Sequence, residues 1–115
     1  MLKFRSPVYF GESMDTERKR QRLMEKLSRG RHVRKGVTLI LYAVNGKDLF
    51  DLLPARELKR PWRKGEDFYV LGLAANREEA LQLVQRMVME VYESTGDFDV
   101  RGYFGYPGGW PDAAQ

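Results

Sequence analysis

Eight consecutive residues, Val37 to Val44, read Val-Thr-Leu-Ile-Leu-Tyr-Ala-Val and leave the chain few options. β-Branched and aromatic side chains favour extended backbone, and an almost unbroken apolar run keeps no polar face for water. The segment is expected to be a central strand covered on both faces. It is too short to cross a membrane, which takes roughly 18 apolar residues. A strand of this kind needs neighbours along its edges and cover over its faces, and the rest of the sequence has to provide them.

Three further segments read as strands. Phe68 to Ala74 (Phe-Tyr-Val-Leu-Gly-Leu-Ala) is a second buried strand, with Gly72 marking a close approach of backbone or helix. Leu2, Phe4, Ser6, Val8 and Phe10 alternate with Lys3, Arg5, Pro7 and Tyr9, the period of two of a half-buried strand. Pro7 cannot donate to a ladder, which places that strand at an edge. Phe98, Val100 and Phe104 alternate with Asp97, Asp99, Arg101 and Tyr103, predicting a last strand with one wet face.

The cover comes from helices. Asn76 with Glu79 is a cap signature, and Ala80, Leu81, Val84, Met87, Val88, Val91 and Tyr92 recur at three and four residues until Gly96. This predicts a long amphipathic helix. From Asp15 to Arg29 good helix formers follow Asp15 or Thr16 as a cap and end before Gly30, with a thin stripe of Leu23, Met24 and Leu27. Asn45-Gly46 turns the chain, and Asn45 with Asp48 resembles another cap. A short helix carrying Leu49, Phe50, Leu52 and Leu53 is expected there, interrupted at Pro54, with a new turn from Ala55 to Lys59.

Strand, long helix and strand joined by tight connections imply a C-terminal parallel βαβ unit with a right-handed crossover. The predicted fold class is α/β, with α+β as the alternative. Residues 1–104 form one small two-layer domain, in which about three helices cover mainly one face of a three- to four-stranded mixed sheet. Residues 105–115 hold three Gly and two Pro and are expected to be a flexible tail.

The chain has 115 residues and no cysteine, so a disulfide framework, a thiolate zinc site and cysteine catalysis are excluded together. Its start, Met-Leu-Lys-Phe-Arg-Ser-Pro, meets charge and proline at once and lacks the apolar core of a secretion signal, so a cytoplasmic protein is expected. The only histidine, His32, lies among cations that would repel a metal ion. Asp48 and Asp51, in the first turn of the expected short helix, and Asp97 and Asp99, on the wet face of the expected last strand, read as solvated carboxylates. Gly105-x-x-Gly108-Gly109 opens no helix and so is not a phosphate loop. Leu49-Phe50-Asp51-Leu52-Leu53 matches a docking pattern but reads as core. No catalytic residue, cofactor site or metal site is expected, and the chain reads as a binding domain rather than an enzyme.

Charge is unevenly placed. Residues 1–35 hold 11 Lys and Arg against 4 Asp and Glu, whereas residues 66–115 hold 3 against 9. A basic half beside an acidic half suits contact with a protein partner or a second copy, and that is the leading expectation. The edge strand from Leu2 to Phe10, and Tyr106 and Trp110 beside their prolines, are the candidate protein contacts. The alternative is non-specific nucleic-acid or other polyanion binding through the basic helix of residues 15–35. Arg18, Arg22, Lys26 and Arg29 fall at intervals of four, four and three and share a face able to track phosphates. Arg63 and Lys64 add cations, and Trp62 beside them offers a stacking platform, provided that the two segments lie near each other.

Overall fold

In the computed structural model, which describes residues 2–42, 50–59 and 68–104, Thr38–Tyr42 forms the strand expected of the apolar run, and all five side chains are buried. The elements in chain order are β1 (Leu2–Phe10), α1 (Glu17–Ser28), β2 (Thr38–Tyr42), β3 (Phe50–Pro54), a 3₁₀ turn (Ala55–Lys59), β4 (Phe68–Ala74), α2 (Arg77–Thr95) and α3 (Val100–Phe104). The four strands form one mixed sheet in the order β1-β4-β2-β3. β1 runs parallel to β4, while β2 is antiparallel to both β4 and β3. The result is a small single domain in which β1 lies at an edge, as Pro7 requires.

Alternation along β2 separates two apolar layers. Leu39 and Leu41 face one side, where they join Val70, Leu73, Leu53 and Leu27 of α1. Ile40 and Tyr42 face the other, against Ala80, Leu83, Met87 and Val91 of α2 and Val100 and Phe104 of α3. The expected two-layer arrangement with one covered face is therefore corrected: helices lie over both faces. β2 and β4 are apolar on both sides, so either face left bare would expose large aliphatic surface. Gly72 sits where β4 bulges, since Ile40 pairs with Gly72 and Leu41 with Val70. A Cβ there would meet Leu83, Ile40 and the Tyr9 carbonyl at 3.2–3.3 Å, which is the close approach its position implied.

Helix ends follow the sequence. The Thr16 side chain accepts from the Lys19 amide, and Asn76 accepts from the Glu79 amide at 2.8 Å. Gly96 caps α2 with φ +80°. At the end of α1 the Arg31 amide donates to Lys26 O and the Gly30 amide to Leu27 O, the paired bonds of a Schellman stop.

Three local expectations are overturned. The short helix through Leu52 and Leu53 is instead β3, which pairs with β2 from Tyr42↔Phe50 to Thr38↔Pro54. Phe50 and Leu52 pack on one face and Leu53 on the other, a period of two that offers β2 its second neighbour. Asn45, Gly46, Asp48 and Leu49 lie outside the described residues. The last strand and the C-terminal βαβ unit are absent among the described residues, because Val100 and Phe104 are four apart on α3 and both buried, while Phe98 is 53% exposed. Asp97 accepts from the Asp99 amide and Asp99 from the Gly102 amide, so these carboxylates shape a turn and start a helix. Finally, Leu83 rather than Leu81 enters the core of α2.

Candidate anion-binding surface

Three of the four cations singled out on α1, Arg18, Arg22 and Arg29, are exposed, and Lys26 is half-buried. Some of the cations in this segment are engaged within the molecule. Lys19 pairs with Asp15 at 2.9 Å and Arg29 with Glu25 at 3.5 Å. Arg20 donates to Met14 O at 2.8 Å and lies over the Phe10 ring. Arg18 and Arg22 make no ion pair among the described residues. Lys26 and Arg29 lie near the helix C-terminus, where cations also interact favourably with the negative end of the macrodipole.

The Schellman stop turns the chain back, and residues 31–36 run beside the end of α1 toward β2. Gly36, at φ +101°, allows the final bend. The Ala55 amide then donates to Val37 O at 2.8 Å, tying the start of the 3₁₀ turn to this loop. Between the two segments lies a groove of about 550 Å³. Leu27, Val33, Val37, Ala55 and Leu58 give it an apolar floor, and Arg31, His32, Arg34, Lys35, Arg56 and Lys59 stand along its walls. Among the described residues no acidic side chain lines it. Five of the lining groups are Lys or Arg, and none of these five makes an ion pair among the described residues.

This concentration of like charge around a shallow apolar floor gives a positive potential that low-dielectric walls focus outward. Guanidinium groups match phosphate oxygens in pairs, and ammonium groups act as point charges beside them. The groove therefore suits an anionic group. Trp62, Arg63 and Lys64 lie outside the described residues, as do Tyr106 and Trp110. The lining residues Arg31, Arg34, Lys35 and Lys59 stand in the basic runs visible in sequence, but Arg56 does not. Val33 inside a run of cations, and Leu58 two residues from Arg56, are the available signs that these segments turn an apolar side inward.

Two other clusters lie on the opposite side of the sheet. The hydroxyls of Tyr9 and Tyr103 both donate to Glu90 Oε2, the latter at 3.0 Å. Burial, followed by the hydrogen bond to Glu90 and its charge, pushes the Tyr9 phenol well above its ordinary value. On the outer flank of α2, Leu81, Met89 and Tyr92 are 45–48% exposed, and Tyr92 stacks on Phe98 at 4.8 Å between ring centres. Among the described residues there is no group of three or more side chains suited to holding a metal ion, and no helix long and apolar enough to cross a membrane. No protein-family model, curated protein or solved structure matches the chain.

Proposed function

We propose that this domain binds nucleic acid through its phosphates, without catalysis, along a basic surface that runs from α1 into the groove. The observation behind this reading is the groove itself, where Arg31, Arg34 and Lys35 stand across from Arg56 and Lys59 and no acidic side chain is among the described lining residues. Arg18, Arg22, Lys26 and Arg29 extend the surface along the helix, and Trp62, Arg63 and Lys64 follow the 3₁₀ turn in sequence. Phosphate contacts position a strand but carry no sequence code, so binding is expected to be tolerant of sequence.

The test is anisotropy of a labelled mixed-sequence strand, single and duplex, at low and moderate salt. Affinity is expected to fall steeply with salt, and the paired reversal Arg34→Glu with Lys59→Glu to weaken binding roughly tenfold or more for each charge-assisted hydrogen bond removed. Arg22→Glu with Lys26→Glu should weaken it less if the groove is the centre. No binding at low salt would end this reading. Full competition by inorganic polyphosphate would show that charge alone is read.

The second reading, protein contact or self-association, draws support from the exposed apolar side chains of α2. It calls on a different surface from β1, Tyr106 and Trp110, and both activities can coexist because α1 and α2 lie over opposite faces of the sheet.

A further inference from the structure

Helix α2 has more apolar surface than its own core uses. Ala80, Leu83, Met87 and Val91 are buried, yet Leu81, Val88 and Tyr92 lie along the next flank of the helix, with Met89 beyond them. A cluster of large side chains at 45–48% exposure, continued by Phe98 at 53%, differs from scattered surface hydrophobics, which need no explanation.

The order of these residues is self-complementary. Leu81, Gln85, Val88 and Tyr92 recur at intervals of four, three and four, a spacing that reads the same in both directions. Laid against a copy of itself in the antiparallel sense, α2 brings Leu81 against Tyr92 and Gln85 against Val88, twice over, about an axis between Arg86 and Met87. Arg77 comes opposite Gly96, beside the exposed Asp97. A cation at one end of the stripe and a carboxylate at the other are therefore brought together twice by one two-fold axis, which is what an isologous contact requires.

We infer that the outer flank of α2 is the contact surface of a homodimer, with two α2 helices packed antiparallel and Arg77 of each copy facing Asp97 of the other. The helix is about 28 Å long, so one helix pair with Phe98 covers less than the roughly 800 Å² per partner of a standard stable interface. Dimerisation is thus expected to depend on concentration over the micromolar range. Both basic grooves remain open in this dimer, since α2 lies over the opposite sheet face.

Sedimentation equilibrium across a concentration series tests this directly. The mass should rise from the 13.4 kDa of one chain toward twice that value. Leu81→Asp should hold it at the monomer with an unchanged helical circular dichroism spectrum, because Leu81 is outside the core. Arg77→Asp and Asp97→Arg should each shift dissociation to higher concentration, and the two together should restore it, a rescue that general instability would not produce. A protein that stays monomeric at the highest attainable concentration would overturn the inference. So would a dimer that is indifferent to Leu81→Asp.

Discussion

At Glu90 two phenols from different elements converge on one carboxylate, Tyr9 from β1 and Tyr103 from α3. Tyr9 also lies against Arg5 and, edge-on, against Phe104, so its hydroxyl closes the joint between the edge strand and the C-terminal helices. Burial and the neighbouring carboxylate both oppose formation of the phenolate. A group whose native pKa is raised contributes stability that is complete below its unfolded value, 10.0 here, and declines as pH rises beyond it. Denaturant midpoints should accordingly fall more steeply above pH 10 in the native protein than in Tyr9→Phe. An equal alkaline loss in the two proteins would show that Tyr9 ionises like an exposed tyrosine. No pattern in the sequence marks Tyr9 for this role, because its partners Glu90, Tyr103 and Phe104 lie 81, 94 and 95 residues away in the chain.

At the scale of elements, legibility follows how local the determining interactions are. The ends of α1 and α2 are readable because a cap is made within a few residues: Asn76 accepts from the Glu79 amide, and Glu79 in turn accepts from the Ala75 amide. Replacing Asn76 by Ala should cost about 1 kcal/mol in chemical denaturation, and a loss below a few tenths would mean that the Glu79 hydrogen bond suffices alone. β3 and α3 mislead for the converse reason. Residues 50–54 have enough apolar character for either period, and pairing with β2 selects the strand. Residues 97–104 alternate well as a strand, but the sheet edge at β4 is already taken by β1, and Val100 and Phe104 find their burial against α2 instead. The same competition rotates α2 so that Leu83 is inward and Leu81 and Tyr92 are outward.

For the whole molecule, the sheet separates a basic side from an apolar and more acidic one. Across it, α1 and the groove carry the cations, while α2 and the turn after it carry Glu78, Glu93, Asp97 and Asp99 at the surface. If nucleic acid lies along the basic side, the logarithm of affinity should fall linearly with the logarithm of salt, and neutralising one groove cation should reduce that slope by about 0.7–1. An unchanged slope in Arg34→Gln or Lys59→Gln would place the phosphates elsewhere. What the sequence by itself determined is the central strand, its buried neighbour, the proline-marked edge, both long helices with their caps, and the unequal division of charge. Each of these rests on side-chain period, capping or composition, which act within a few residues. Tertiary structure alone decided that both faces are covered, that residues 50–54 pair with β2, and that residues 100–104 coil onto α2. It also decided that two basic segments more than 20 residues apart wall one groove. These outcomes depend on which surfaces compete for the same edge or face, a comparison between segments distant in the chain that no local pattern contains.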